Sequence, residues 1–430
     1  MNATVWDTIV VGGGPAGSTA AALLAKAGKK VLVVERDKFP RFHIGESLLP
    51  FGNDVLNELG IWSKLEQAGF MAKLGAEFTL GNGAGLQRLF FRDSLEARYA
   101  QTFQVERAKF DHLLLDHAEE QGARVVFSAK VTHVQVTALG VEIEYDYAGE
   151  KHQAKARWIV DASGRTSVVG NALKLPKTDL NMPKRLAVFS HFKNVFRNSG
   201  EAFGHITIVR LENAWCWFIP LDAQKTSVGL VQTLEAFKAQ KTSPQETFEN
   251  AIRRHADLRY RLKNAERLEE FRTEGDYTFR HLQAAGPRWL LAGDSAGFID
   301  PIFSSGVMVA LRSSQLAAHA ILKADAAGRA LSGGEQRAYT RGVKKMTSTF
   351  LAMIRMFYDR NSFEVFMSRD PIFDTPRAVL NLVAGNTRLS WSLQWRVWLF
   401  YSMCWFQRYR KIAPGLSFEE ATPRTEAKAS

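Results

Sequence analysis

The apolar and polar positions at the start of the chain predict a strand, a helix and a second strand. Val5 to Val11 is an apolar run of strand length, and residues 15–27 form an alanine-rich run of helical length. Gly28 ends the helix, and Lys30 to Val34 is a second apolar run with Glu35 at its end. This order predicts two parallel strands joined by a helical crossover.

Two later stretches predict a second sheet. Residues from about Thr132 to Glu144 and from Leu186 to Thr233 alternate between apolar and polar, as half-buried strands do. In the second stretch Trp215 and Trp217 share one strand face, and Pro220 would end that strand. We expect these strands to form a substrate-side sheet, inserted at about residues 180–280.

The turn after the first strand carries the residues that dinucleotide binding requires. Its sequence is Gly12-Gly13-Gly14-Pro15-Ala16-Gly17. Gly12 permits the tight turn, Gly14 lets a pyrophosphate approach the backbone, and Gly17 lets helix and strand pack closely. The positive end of the helix dipole would attract the phosphates. Glu35, followed by Arg36, can hydrogen-bond a ribose diol.

Composition and charge narrow the function classes. The chain has 430 residues, of which 46% are hydrophobic and 23% charged, as in globular proteins. With only two cysteines, neither a disulfide framework nor a cysteine-based metal cluster is expected. The low cysteine content suits a reducing cytoplasm, and no leader-like segment is apparent at the N-terminus. The net charge of +12 favours an acidic partner. Nucleic acid is disfavoured, because no basic run with interleaved aromatics or recognition helix is apparent.

The C-terminal part is predicted to be helical and unusually aromatic. Helical periodicity runs from about Gly342, and the stretch from Leu389 to Ile412 would place Trp391, Trp395 and Trp398 on one face. This pattern fits three arrangements. The helix could dock over the substrate pocket, lie on a membrane surface through its tryptophans and arginines, or form a groove for a carrier protein. No apolar run reaches the ~18 residues of a transmembrane helix.

Several segments together resemble the flavin-dependent halogenases. They are the glycine turn, Arg41-to-Pro50 with its Gly45-Glu46-Ser47, Glu106-Arg107, Asp161-Ala162-Ser163-Gly164, Trp215-Cys216-Trp217-Phe218-Ile219-Pro220, Gly293-Asp294 and Asp300-Pro301-Ile302-Phe303-Ser304-Ser305-Gly306-Val307. The implied fold is α/β (α+β). It comprises a Rossmann-like FAD-binding domain of the aromatic-hydroxylase type at residues 1–340, a helical region at 341–415 covering the substrate pocket, and a flexible tail at 416–430.

The resemblance also assigns roles to residues. FAD would contact the fingerprint residues together with Gly45, Glu46, Ser47, Arg107, Asp294, Gly306 and Val307. Ser305 and Gly306 would bind halide. Trp215, Trp217, Ile219 and Pro220 would separate flavin from substrate. Lys73, predicted at the start of a strand, would be the catalytic lysine that holds hypohalous acid beside the substrate. His43 is expected to be structural.

The function implied is a FADH2-dependent halogenase that uses oxygen and chloride or bromide. Phe303 stands where tryptophan halogenases have glutamate, so a phenol, resorcinol-like ring or pyrrole is expected rather than free tryptophan. The ring would be free or tethered to an acidic carrier protein, and a separate flavin reductase would supply FADH2, since only one dinucleotide fingerprint is visible. A flavin hydroxylase, a polyprenyl-type reductase and a non-catalytic flavoprotein remain as alternatives. Met308 is a second departure from the phenol- and pyrrole-halogenating pattern, with no physical consequence assigned.

Overall fold

A computed structural model describes residues 5–275, 278–368 and 372–419. Its strands are β1 Val5–Val11, β2 Val31–Val34, β3 Met71–Lys73, β4 Gly75–Leu80, β5 Gln87–Phe90, β6 Thr102–Gln104, β7 Arg124–Val126, β8 Lys130–Val136, β9 Val141–Tyr147, β10 Glu150–Asp161, β11 Lys177–Asp179, β12 Arg185–Lys193, β13 Ile206–Arg210, β14 Ala214–Pro220, β15 Thr226–Thr233, β16 Glu266–Arg267, β17 Arg272–Gly275, β18 Phe279–His281, β19 Trp289–Leu291 and β20 Gly297–Phe298. Its helices are α1 Pro15–Lys26, α2 Asn53–Leu59, α3 Trp62–Gln67, α4 Arg107–Glu120, α5 Val168–Ala172, α6 Leu234–Gln240, α7 Pro244–Arg254, α8 Ala256–Leu262, α9 Ser305–Ala326, α10 Gly333–Tyr358, α11 Arg360–Met367, α12 Thr375–Val383 and α13 Trp391–Phe406.

The first sheet contains the predicted N-terminal unit. Its strand order is β7-β2-β1-β10-β9-β8, and β19 also pairs with β10. Strand β1 runs parallel to both β2 and β10, with Thr8 opposite Val31 and Ile9 opposite Ile159. Helix α1 joins β1 to β2 and packs against α4 and α9. The predicted strand–helix–strand unit is therefore confirmed almost to the residue.

One prediction about the second sheet is wrong. The stretch from Thr132 to Glu144 lies in β8 and β9, which pair antiparallel and extend the first sheet through β10. Period-two alternation shows that a segment is a half-buried strand, but it does not say which sheet the strand joins. The partner is decided by the long strand β10, whose Ala156 lies opposite Val141.

The substrate-side sheet has the order β16-β12-β15-β14-β13-β4-β5, with β17 also paired to β12. It combines strands between residues 185 and 275 with β4 and β5, which precede the predicted insertion. Strand β13 joins the two parts by running parallel to β4, with Ile206 opposite Ala76. The sheet has two apolar faces. Trp215 and Trp217 belong to the main core, whereas Cys216 and Phe218 face a smaller core under α7.

Four helices after residue 333 cover this arrangement. Helix α10 runs unbroken from Gly333 to Tyr358, so the predicted boundary at residue 340 falls inside a helix and the helical region starts earlier. Helix α13 packs against α11 and α12. Part of the predicted tail is also anchored. The backbone amide of Leu416 donates to the Glu364 carboxylate, and the side-chain amide of Asn82 donates to the Ser417 carbonyl. Residues 420–430 of that tail lie outside the described residues.

Candidate active site

The glycine turn is shaped as its sequence predicts. Gly12 has φ +101°, and a Cβ there would lie 2.4 Å from the Ala162 carbonyl oxygen. A Cβ on Gly17 would lie 1.8 Å from the Gly12 oxygen, so this glycine is required for helix α1 to pack on β1. A Cβ on Gly14 would meet only the tip of Arg41, at 3.3 Å. Packing therefore does not require a glycine at position 14, whereas close approach of a phosphate to the backbone would. Pro15 and Ala16 follow as the first, buried residues of α1.

Glu35 and Arg36 differ in their surroundings. Glu35 is buried at the end of β2, and its carboxylate accepts hydrogen bonds from the Gly13 amide at 2.5 Å and the Asp37 amide at 2.7 Å. It is held against the glycine turn, where a ribose would follow the pyrophosphate. Arg36 is exposed and lies near Asp37 and Thr166 on the rim. Glu35 therefore lies where it could hold a ribose, whereas Arg36 faces solvent.

Asp294 has features of a ligand-binding carboxylate. It lies half-buried in the turn after β19, and within the described ranges its side chain has no hydrogen-bond partner. Loss of solvation raises its pKa to about 6, although the positive charges of Arg107 and Arg165 oppose this. A carboxylate in this state gains from a hydroxyl donor, which FAD's ribityl chain would supply. Together with Gly14 and Glu35, Asp294 makes the chain fit FAD.

Arg107 is buried, so it is not a surface arginine. Its guanidinium forms a bidentate pair with Asp111, at 2.7 and 2.9 Å, and donates to the Ile44 carbonyl at 2.7 Å. Gly45 has φ +101°, and a Cβ there would approach the same guanidinium to 3.0 Å. Arg107 therefore ties the start of α4 to the loop of residues 41–50, which we call the flavin loop. His43 in this loop is exposed and bonds the neighbouring Ile44 carbonyl.

Glu46 has a partner that the sequence did not suggest. Its carboxylate lies 2.8 Å from Nε2 of His191 in β12, and both residues are buried. Burial alone would lower the pKa of His191, but Glu46 and then Glu269 reverse this and raise it. The pair links the flavin loop to the substrate-side sheet. The sequence signal that could have indicated this pair is a histidine, His191, within the apolar run of β12.

Lys73 is the most unusual side chain in this region. It ends β3 rather than starting a strand, and it is 1% exposed. Its ammonium donates to Ser47 Oγ at 2.8 Å and to the Leu48 carbonyl at 2.7 Å, and it lies 5.5 Å from the Phe91 ring centroid. No carboxylate in the described part of the chain forms an ion pair with it. Burial lowers its pKa to about 7, so charged and neutral forms coexist near neutrality.

Trp215 and Trp217, the tryptophan pair, are buried on β14 with ring centroids 5.8 Å apart. Trp217 covers Gly229 of β15 and donates to Ser227 Oγ at 3.1 Å. Trp215 donates to the phenol of Tyr358, which donates to Asp300 at 2.8 Å. Ile219 and Pro220 complete the strand, which ends at Pro220 as predicted.

Asp300 also connects this chain of hydrogen bonds to the turn before α9. It accepts from the Ile302 amide and lies 3.5 Å from Arg185, whose guanidinium covers the Tyr358 ring at 3.6 Å. Neither Arg185 nor Tyr358 was predicted as a site residue. Tyr358 ends α10, and no local pattern distinguishes it from other helical aromatics.

The turn of Ser304, Ser305 and Gly306, here the SSG turn, opens helix α9. Ser304 has φ +56°, and Ser305 and Gly306 are the first two helical residues. Their amides precede the hydrogen-bonded part of the helix, so they are free to bind an anion. Gly306 is exposed, and a Cβ added to it would meet nothing within 4 Å, whereas Val307 is buried beneath it. Phe303 is buried too, with its ring 6.3 Å from Phe78.

The described residues contain no group of three or more His, Cys, Asp or Glu side chains placed to hold a metal ion. They also contain no helix that is both long enough and apolar enough to cross a membrane. The candidate site consists of the glycine turn with Glu35 and Asp294, the buried Lys73 and the N-terminus of α9.

Comparison with known proteins identifies the family. The family model of the FAD binding domain matches residues 5–331. A 1H-pyrrole-2-carbonyl-(peptidyl-carrier protein) chlorinase of Pseudomonas fluorescens is 32% identical over 404 residues, which cover 89% of each chain. A tryptophan 2-halogenase of Chondromyces crocatus is 33% identical over 82% of this chain and 68% of that protein.

A solved flavin-dependent brominase superposes with a TM-score of 0.84 at 26% identity, and the match covers 95% of this chain and all of that one. The fold and FAD predictions made from the sequence are therefore confirmed. Since the family model spans most of the chain and the chlorinase is similar over nearly its full length, the protein belongs to the FAD-binding-domain family and, within it, to the flavin-dependent halogenases.

Proposed function

We propose that this chain uses FADH2, oxygen and chloride or bromide to halogenate an electron-rich aromatic ring, and that Lys73 holds the halogenating agent. The observation that carries the proposal is the state of Lys73: buried, without a carboxylate partner and with its pKa lowered to about 7. An uncompensated buried amine is costly to a fold, so its presence beside the flavin loop favours a chemical role.

FAD would be held by the glycine turn, Glu35, Asp294 and the flavin loop. When bound in its reduced form it supplies the two electrons that, with oxygen, convert halide into an electrophilic halogen. The overall reaction balances: reduced flavin, dioxygen, halide, one proton and one ring C–H give oxidised flavin, the ring C–halogen bond and two waters.

The residues around the site would direct this halogen. The free amides of Ser305 and Gly306 suit a halide ion, because a helix N-terminus favours negative charge. The tryptophan pair, with Ile219 and Pro220, would keep the substrate ring away from the flavin while letting a small oxidant pass. These roles rest on the resemblance of the segments and on the hydrogen bonds that link Trp215 through Tyr358 to Asp300, which precedes the SSG turn.

Lys73 can act in either of its protonation forms. As an ammonium it has three donors, of which Ser47 and Leu48 occupy two, leaving one N–H for the oxygen of hypohalous acid. As an amine it can displace water from hypohalous acid and carry the halogen on nitrogen. Both forms keep the halogen at one fixed place, so that only a ring carbon presented there reacts.

The substrate proposed is a phenol, resorcinol-like ring or pyrrole tethered to an acidic carrier protein. The chlorinase relative acts, by its name, on a pyrrole carried by a peptidyl-carrier protein, and the net charge of +12 suits such a partner. Phe303 supports this choice over free tryptophan, since its buried ring offers no carboxylate for an indole or ammonium group.

We further propose that a separate flavin reductase supplies FADH2 and that the enzyme works in the cytoplasm. The single dinucleotide fingerprint supports the first point. The second is supported by two cysteines, Cys216 and Cys404, that are both buried and unpaired in the structure.

Mass spectrometry of reaction products tests the proposal. The assay combines the enzyme with FAD, a flavin reductase, NADH, oxygen, and chloride or bromide, and offers phenols, resorcinols and pyrroles both free and as carrier thioesters. Lys73→Met retains the side-chain volume but removes the amine, and Lys151→Met changes an exposed lysine on the β9–β10 hairpin. We expect a halogen isotope pattern in wild type and Lys151→Met that is absent from Lys73→Met, with FAD binding retained in all three.

Other products would point to other enzymes. Oxygen insertion without halogen would identify a hydroxylase, and saturation of a double bond in an added prenyl substrate would identify a reductase. Halogenation that persists in Lys73→Met would refute the role of the lysine alone.

A further inference from the structure

Helix α13 presents apolar side chains on two opposite sides. Leu393, Val397, Phe400 and Cys404 form its buried side against α11 and α12. On the other side, Trp391 is 79% exposed, Trp398 61% and Trp405 52%. A helix that is apolar all round is normally buried all round. Here one side has no partner within the described chain.

The three exposed tryptophans, which we call the aromatic row, follow one line along the helix. They are spaced seven residues apart, which is close to two helical turns, so the row is about 21 Å long. Phe406 and Tyr409 continue it at the C-terminal end, and Phe373 lies beside Trp395 with ring centroids 6.4 Å apart. Several exposed rings therefore share one side of α13, which differs from the singly scattered apolar residues of an ordinary surface.

The charge around the aromatic row is entirely positive in sequence. Residues 388–418 contain five cationic side chains and no acidic one. Arg408 and Lys411 form ion pairs with Asp359 and Glu364 of α11 and its N-cap. Arg388, Arg396 and Arg410 form no ion pair with any residue that the structure describes. The unneutralised charge favours an anionic partner and opposes a second copy of the same surface.

We propose that α13 binds an anionic lipid bilayer, lying in the plane of its surface with the aromatic row among the headgroups. Indole and phenol rings are the side chains that prefer the membrane–water interface, and arginines beside them meet anionic headgroups. A row of exposed rings flanked by arginines without ion-pair partners therefore suits an anionic lipid surface.

This orientation would place the lipid surface next to the catalytic region. The inner side of α13 contributes Phe400 and Met403 to an apolar cavity of about 70 Å³, which Leu89 and Phe366 also line. The Phe366 ring lies 5.0 Å from that of Phe78, which in turn contacts Phe303 before the SSG turn. Helix α13 therefore separates the proposed membrane surface from a set of apolar side chains that extends to the SSG turn. The inference goes beyond the proposed function and does not depend on it.

Vesicle sedimentation tests the inference without any turnover. The full-length, FAD-loaded protein is mixed with sucrose-loaded vesicles of phosphatidylcholine alone or with phosphatidylglycerol at low and high salt. We expect sedimentation with phosphatidylglycerol vesicles that weakens with salt, and a blue shift of tryptophan emission. The double variant Trp398→Ser, Trp405→Ser should partition at least ~10-fold less, as should Arg388→Glu, Arg410→Glu. Lys151→Glu, a single charge reversal elsewhere on the surface, should bind as wild type does.

The changed side chains are exposed, and unaltered FAD binding and circular dichroism would show that the variants fold. Three results would overturn the inference: no sedimentation with anionic vesicles, equal sedimentation of wild type and the tryptophan variant, or equal loss in the Lys151→Glu control. A dimer, or a complex with an acidic carrier protein, that disappears in the tryptophan variant while vesicles do not bind would assign the surface to a protein instead.

Discussion

The indole nitrogen of Trp215 donates a hydrogen bond of 2.7 Å to the phenol oxygen of Tyr358, the last residue of α10. Tyr358 in turn donates to Asp300, which lies before the SSG turn. One hydroxyl thus connects the strand of the tryptophan pair, the C-terminal helical region and the predicted halide site. Burial and, to a smaller extent, the neighbouring carboxylate of Asp300 raise the pKa of Tyr358 well above its ordinary value. The phenol therefore stays protonated and remains a hydrogen-bond donor.

Replacing Tyr358 with phenylalanine should therefore affect both stability and chemistry. The Asp300 carboxylate and the Trp215 N–H would each lose a buried partner, at a cost of about 1–3 kcal/mol. We expect a lower unfolding midpoint in urea and a lower yield of halogenated product per FADH2 consumed, because both the indole and the turn lose their positioning.

Tyr339→Phe is the matched control for this change. Tyr339 lies on the same helix and is also buried, with its hydroxyl donating to the Leu291 carbonyl at 2.8 Å. The control should lose stability while keeping the product yield per FADH2. Equal yields in both variants would show that Tyr358 is only structural.

The lowered pKa of Lys73 predicts how stability changes with pH. Its ordinary value is 10.5, and burial lowers it to about 7 in the folded state. Between these values the unfolded chain binds more protons than the folded one, so this lysine's penalty is largest below pH 7 and is relieved as pH rises towards 10.5. The scale is about 1.4 kcal/mol per pKa unit.

Chemical denaturation of wild type and Lys73→Met from pH 6 to pH 10 measures this effect. The free energy of unfolding of wild type should rise relative to that of the variant across this pH range. Taking the difference between the two proteins cancels the contributions of other titrating groups. A difference that stays constant with pH would mean that the amine is charged in the folded protein throughout.

The glycines of the fingerprint should separate folding from cofactor binding. Gly17→Ala would put a Cβ 1.8 Å from the Gly12 oxygen, so we expect it to disrupt the packing of α1 and yield little folded protein. Gly14→Ala meets only the tip of Arg41 and should fold. It should nevertheless weaken FAD binding, measured by quenching of flavin fluorescence, since the methyl group points where a pyrophosphate would approach. Wild-type FAD affinity in Gly14→Ala would contradict the assignment of the turn.

The pair of Glu46 and His191 should stabilise the fold most at low pH. The pKa of His191 is raised above its ordinary 6.5, chiefly by Glu46 against the opposing effect of burial. Its contribution to stability is thus complete below pH 6.5 and is lost as pH rises through the folded-state pKa. His191→Gln should be more destabilising at pH 6 than at pH 9 in urea unfolding. An effect that grows with pH would mean that His191 is neutral in the fold.

Local sequence was sufficient for the elements whose signals are themselves local. The bounds of β1 and the helix after the glycine turn were predicted closely, because an apolar run, a turn with glycines and an alanine-rich stretch each specify conformation over neighbouring residues. The same applies to the end of β14 at Pro220, where proline removes a backbone donor.

Contacts between distant segments were decided only by the tertiary structure. The sequence offered no means of pairing Glu46 with His191 or Trp215 with Tyr358. Each pair joins a strand of the substrate-side sheet to a distant loop or helix, and no local pattern refers to the partner. The assignment of 132–144 to the wrong sheet has the same origin, because alternation is a property of one strand and its neighbour is set by the whole fold. The state of Lys73 follows this rule too: the sequence determined which residue is a lysine, and only packing removed its solvent and lowered its pKa.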